Sequence, residues 1–162
     1  MGKSSSLAAI ALGSNLGNSR QILEMAIDRL NATPDIRVTR RSSWYRTAPV
    51  GPPQPDYLNG AVTLDVRLPP HQLLDVMLNI EADFGRTRGQ HWGPRTLDLD
   101  LLLFDRLILD TPTLQIPHPR MGERAFVLVP LAEIAPERIE PVSGKTIAQL
   151  LLGVDRSGIR PI

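Results

Sequence analysis

Leucine and aspartate alternate from Leu97 to Leu101, and this pattern constrains the fold more than any other stretch of the 162-residue chain. Alternate side chains of a β-strand point to opposite faces. A strand over 97–104 therefore turns Leu97, Leu99, Leu101 and Leu103 toward packed helices. Asp98 and Asp100 share the other face, with Cα atoms roughly 6.6 Å apart, twice the ~3.3 Å rise per residue. The pattern demands a sheet with one apolar face under helices and one face carrying charge.

The neighbouring segments predict how that sheet is built. Leu7 to Leu12 is a short apolar run ending at Gly13-Ser14-Asn15, which reads as a buried strand. Ile22, Ala26 and Leu30 recur at helical spacing behind Asn18 or Ser19 as N-cap, with Pro34 beyond the end. Ile36 to Arg46 reads as a second strand, with a bulge expected at Arg40-Arg41. Leu58, Val62, Leu64 and Val66 alternate with polar residues as a third strand. After Pro69-Pro70, Leu73, Met77, Ile80 and Phe84 form a helical stripe that Gly85 terminates. With the strand at 97–104, the order is β-α-β-β-α-β. The expected fold is therefore α+β: a ferredoxin-like antiparallel sheet with two helices on one face, loops bearing the site, and C-terminal additions. Ala125 to Leu131 is a further apolar run, and Thr146 to Leu152 reads as a last short helix. No linker-like stretch divides the chain, so residues 1–162 are expected to form one domain, with 1–6 flexible.

Composition narrows the function. Eighteen basic against seventeen acidic residues give a net charge of +1, which argues against a nucleic-acid coat or a membrane-surface protein. All but two of the basic residues are Arg, the side chain suited to forked binding of phosphate or carboxylate. Cysteine is absent, which excludes thiolate catalysis and Cys-based zinc sites. No apolar run is long enough to span a membrane, so a cytoplasmic protein is expected, with a monomer as the default.

Candidate chemistry centres on Asp98 and Asp100, which suit one or two hard cations. Arg86, Arg88 and Arg95 lie just upstream; His118, Arg120 and Arg124 lie downstream. Acids on a strand flanked by Arg-bearing loops fit a polyphosphate with its Mg²⁺. A P-loop is absent: Ser143-Gly144-Lys145-Thr146 imitates its end, but Ile139 stands where its first Gly belongs. His71, His91 and His118 lack ligand-like spacing, and of these His118, between two prolines, is the functional candidate. Tyr57 and Asn59 point the same way on a strand, an aromatic face beside an amide.

Several blocks together resemble a known family. They are Ala11 to Gly17, Tyr45-Arg46-Thr47 with Pro49-Val50-Gly51, Gln54 to Asn59, Glu81 with Gly85-Arg86, His91 to Leu102, and Ile116-Pro117-His118 with Arg124. In this order they resemble the 6-hydroxymethyl-7,8-dihydropterin pyrophosphokinases of folate biosynthesis. The resemblance implies transfer of diphosphate from ATP to the pterin hydroxymethyl group, with AMP released. It implies two Mg²⁺ ions on Asp98 and Asp100, and Arg86 and Arg95 as transition-state cations. Glu81, Arg86, Arg88, Trp92, Arg95, Leu101, His118 and Arg124 would contact ATP. Thr47, Ala48, Val50, Tyr57, Asn59, Trp92, Asp98 and Phe126 would bind the pterin, its ring between Tyr57 and Phe126. Thr113 and Pro119 depart from residues that some relatives carry there.

Two rival readings use the same residues. A ferredoxin-like RNA-binding module would present aromatics and basic residues on its sheet, where this chain presents two aspartates. A Mg²⁺-dependent nucleotide hydrolase would use the acids without needing a pterin.

Overall fold

A computed structural model of the chain describes residues 4–15, 18–48, 53–85 and 96–162. The order expected from the sequence is present: β1 (Ser6–Ser14), α1 (Ser19–Ala32), β2 (Ile36–Arg41), β3 (Tyr45–Thr47), β4 (Tyr57–Val66), α2 (Pro70–Asp83) and β5 (Asp98–Phe104). With β8 (Ile159–Pro161), the strands lie in the order β5-β1-β4-β3-β8, and β2 also pairs with β4. All pairs are antiparallel, which gives the ferredoxin-like order of an α+β domain. Caps sit where the sequence puts them. The Asn18 side chain accepts the Gln21 amide at 3.4 Å, and Gly85 leaves α2 at φ +82°, a conformation that costs glycine little.

The expected strand over 36–46 is two strands on one partner. The bulge falls between Val38 and Arg40, one step before Arg40-Arg41. There the Thr39 hydroxyl donates to the Thr63 carbonyl at 3.0 Å. Between β2 and β3, Trp44 packs over Gly60, where a Cβ would lie 2.4 Å from the indole ring. Its Nε1 donates to Glu24 of α1 at 2.9 Å.

The sheet is covered on both faces, whereas the sequence pattern predicts helices on one. Leu23, Leu30, Leu73, Met77 and Ile80 of α1 and α2 form the first core with Ile10, Leu64 and Leu99. On the other face, α3 (Ala125–Ile134) packs Val127, Leu128 and Leu131 against Ala9, Ala61 and Leu103. This explains why the run from Ala125 is apolar on nearly every side: it is a helix between the sheet and α4 (Ile147–Leu152). Leu103 corrects a sequence expectation. Ala9 pairs with Leu103 but Ile10 pairs with Leu101, so Leu102 is an extra residue. This bulge turns both Leu102 and Leu103 toward α3 and returns Phe104 to the first core. Ser6, expected in a flexible start, pairs with Val66 at the beginning of β1; residues 1–3 lie outside the described residues.

Elements that the sequence reading does not contain frame the site. A small hairpin joins β6 (Leu109–Asp110) to β7 (Gln115–Ile116), its turn closed by the Thr111 hydroxyl, which accepts the Leu114 amide at 3.0 Å. A 3₁₀ turn (Met121–Glu123) leads into α3. No helix among the described residues is long and apolar enough to cross a membrane.

Candidate active site

The α3-side face of the sheet opens into a cavity of about 460 Å³ where four strand ends meet. The register builds its floor. Gly13 pairs with Asp98 on one side and with Asn59 on the other, and Asn59 pairs onward with Tyr45. One step along, Ala11 faces Asp100 and Ala61. The middle of this floor is therefore glycine and alanine, with functional side chains at either edge. A Cβ on Gly13 would lie 3.0 Å from Asn59 Nδ2 and 3.8 Å from the Tyr57 ring, so the missing side chain leaves the amide its place. Thr47, Ala48, Tyr57, Asn59, Asp98, Asp100 and Phe126 all line the cavity. Asn59 Oδ1 and Thr47 Oγ1 are buried with no hydrogen-bond partner among the described residues. Unpaired buried acceptors and hydroxyls are costly, which suits a bound heterocycle that supplies N–H groups. Arg124 reaches over the Phe126 ring, 5.6 Å from its centroid, close enough for a cation–π contact.

A second, larger cavity of about 680 Å³ lies along the outer edge of β5. Leu74, Leu99, Leu101 and His118 line it together with the hairpin residues 110–115. Asp100 lines both cavities. Two groups cover the backbone of this edge strand. Glu81 of α2 accepts the Leu99 amide at 2.8 Å in a buried setting, and the His118 amide donates to the Leu102 carbonyl at 3.0 Å. Between those two points the strand is held where Asp100 projects.

A backbone hydrogen bond orients the His118 ring. Its Nδ1 accepts the Arg120 amide at 3.2 Å, which leaves the proton on Nε2. Burial holds its pKa below the usual histidine value, and Arg124 and Arg120 push the same way against the opposing pull of Asp100.

The structure thus brings Asp98, Asp100, Thr47, Ala48, Tyr57, Asn59 and Phe126 to one cavity, and Leu101 and His118 to the adjoining one. Arg124, expected among the ATP contacts, lines the smaller cavity. Glu81 lines neither cavity and is buried against β5. Val50, Arg86, Arg88, Trp92 and Arg95 lie outside the described residues. Sequence reasoning missed Gly13 and Ala11 as floor, and Leu74 with Asp110, Thr111 and Gln115 around the larger cavity; Arg120, read only as one of the flanking arginines, is a wall of the smaller one. Gly13 ends an apolar run and reads as a stop; only the register places it between Asn59 and Asp98.

The donor set fits Mg²⁺. That ion takes one or two carboxylates and completes its shell with waters and substrate phosphates. Asp98 and Asp100 offer two carboxylates beside a cavity large enough for a nucleotide. Among the described residues, no group of three or more acids and histidines could hold a metal by protein ligands alone.

Comparison with known proteins shows the family. The family model of 7,8-dihydro-6-hydroxymethylpterin-pyrophosphokinase (HPPK) matches residues 9–136. The chain belongs to the HPPK family. It is 52% identical over 155 residues to the 2-amino-4-hydroxy-6-hydroxymethyldihydropteridine pyrophosphokinase of Synechocystis sp., covering 96% of this chain and 80% of that one. It is 45% identical over 156 residues to the enzyme of the same name from Bacillus subtilis, covering 95% and 89%. The fold is similar to that of wild-type HPPK-DHPS of Plasmodium falciparum crystallised with pteroate. The TM-score is 0.75 at 14% identity over 94% of this chain, which spans 43% of that one. The HPPK match takes in every residue that lines the two cavities.

Proposed function

We propose that the chain transfers the terminal diphosphate of ATP to the hydroxymethyl oxygen of 6-hydroxymethyl-7,8-dihydropterin, as a step of folate biosynthesis. The pterin hydroxyl oxygen bonds to the β-phosphorus. The bond from that phosphorus to the oxygen bridging it to the α-phosphate breaks, AMP leaves with that oxygen, and the hydroxyl proton is released. The observation that carries this reading is Asp100, on the wall of both cavities. A reaction between two substrates needs one place where they meet, and the junction of the two cavities is that place.

In this reading the pterin lies on the Gly13–Ala11 floor between Tyr57 and Phe126. Asn59, Thr47, Ala48 and Val50 read its hydrogen-bonding edge. ATP fills the larger cavity with its base beside Leu101, and the His118 Nε2–H donates to a phosphate oxygen. Asp98 and Asp100 would hold Mg²⁺, which would neutralise phosphate charge and lower the pKa of the substrate hydroxyl. Arg86, Arg88, Trp92 and Arg95 contact ATP, and Arg86 and Arg95 neutralise the charge that moves during transfer. Arg124 is shared between the ring of Phe126 and the phosphates. Glu81 acts through β5, keeping the strand that carries both aspartates in register. In this reading the chain acts as a monomer.

The rival RNA module fits poorly, because α3 covers the sheet face such modules leave open. One assay separates the enzyme readings: ATP, Mg²⁺ and the hydroxymethyl pterin are combined and AMP is followed. Pterin-dependent AMP is the expected outcome; release without pterin would make the chain a hydrolase. Asp100→Ala is expected to cut turnover by about 10²–10³-fold. Near-normal turnover at saturating Mg²⁺ would remove Asp100 from the reaction.

A further inference from the structure

The smaller cavity contains a cation that binding a flat, neutral heterocycle does not use. Arg120 lines it beside Asp98, Asp100 and Arg124. Its backbone is locked on both sides. The amide donates to His118 Nδ1 at 3.2 Å, and the carbonyl accepts the Glu123 amide at 3.1 Å. The next residue, Met121, is buried in the α3-side core. Its guanidinium, in contrast, belongs to a side chain 66% exposed, and it meets Glu123 only at 3.9 Å. An exposed pair of that length holds an arginine weakly. Arg124, the other cation of this wall, is already placed over the Phe126 ring.

We propose that Arg120 binds the diphosphate of the product, the pterin that already carries its transferred group, and does not bind the neutral pterin substrate. The inference rests on the function proposed above. A forked guanidinium matches phosphate oxygens in two parallel hydrogen bonds, while a pterin with a free hydroxymethyl group offers it no anion. Arg120 lines the cavity of the pterin and not the larger one, so of the two positions of the diphosphate, on ATP and on the pterin, it lies on the side of the second. A fixed Cα with a loosely held side chain suits a group that engages late and lets go when the product leaves.

The test compares two dissociation constants, for the hydroxymethyl pterin and for its diphosphate, in the full chain and in Arg120→Ala and Arg120→Lys. Arg120→Ala is expected to weaken diphosphate binding about tenfold and leave the hydroxymethyl pterin within twofold. Arg120→Lys is expected to recover part of the loss, since it keeps the charge and loses the fork. Raising the salt concentration should narrow the gap between the full chain and Arg120→Ala for the diphosphate only. Equal weakening of both ligands, or of neither, would overturn the role of Arg120. Absence of pterin-dependent AMP from the unaltered chain would instead overturn the function beneath it.

Discussion

Gly13 is the residue on which the smaller cavity depends most directly. It is the only position in the row Asp98–Gly13–Asn59–Tyr45 without a side chain, and it sits in the middle. A methyl group there would press on Asn59 Nδ2 at 3.0 Å, closer than most real Cβ contacts. Asn59 is 7% exposed and has little room to move. Gly13→Ala is therefore expected to weaken pterin binding by about 1–3 kcal/mol, the scale of a displaced buried hydrogen-bonding group, while ATP binding stays the same. Calorimetric titration with each ligand checks this; equal loss for both would mean that the whole sheet end had shifted. Asp98, Asp100, Tyr57 and Asn59 were legible in the sequence because period-two alternation assigns each a face. Gly13 was not, because a glycine after an apolar run looks the same whether it ends a strand or floors a cavity.

At the scale of elements, β3 shows how a three-residue strand is held beside the site. It pairs with β4 on one side and β8 on the other, and α3 anchors it through Glu133. That carboxylate accepts the Ser43 amide at 2.9 Å and the Tyr45 hydroxyl at 2.5 Å. Burial alone would raise the pKa of Glu133, but the hydrogen bonds from Tyr45 and Ser43 outweigh it and the net shift is downward. Burial, with the Glu133 carboxylate beside it, pushes Tyr45 up to about 12. The signs follow directly. The phenol is favoured in its neutral form by folding, so its contribution is complete below about pH 10, the ordinary tyrosine value, and is lost as pH rises toward 12. The carboxylate contribution is present at neutral pH and is lost in acid. Tyrosinate absorbance checks the first. The chain has two tyrosines, and in Tyr57→Phe the remaining one should titrate near 12, returning toward 10 when Glu133→Gln is added. The strands β1, β4 and β5 and the first two helices were legible from apolar period. The division of β2 from β3, and the strand β8 beyond them, were not. Both depend on partners: Trp44 over Gly60 breaks one, and β3 recruits the other.

For the whole molecule, two cores on one sheet make the site a junction between layers. The walls of the larger cavity come from α2, β5 and the β6–β7 hairpin, segments far apart in sequence. A ligand filling it binds the folded chain only, so it raises stability by mass action. ATP with Mg²⁺ at about 100 times its dissociation constant is expected to add about 2.7 kcal/mol. For a chain of this length that is a rise in Tm of roughly 5–10 °C. Chelating Mg²⁺ should remove most of the rise if the aspartates hold the ion with the phosphates. An undiminished rise in EDTA would separate nucleotide binding from Asp98 and Asp100.

The sequence by itself determined the βαββαβ order, the helix limits at Asn18 and Gly85, the pairing of Asp98 with Asp100 on one face, and the family. These are local properties, set by side-chain period, capping chemistry and motif order. Tertiary structure decided the rest: the bulge that turns Leu103 away from α1 and α2, the second helical layer, the glycine floor, and the hairpin that walls the larger cavity. Strand register and the packing of distant segments are set by contacts across the molecule, and no single stretch of sequence encodes them. That is why the acids were visible before the fold, whereas the junction they occupy was visible only after it.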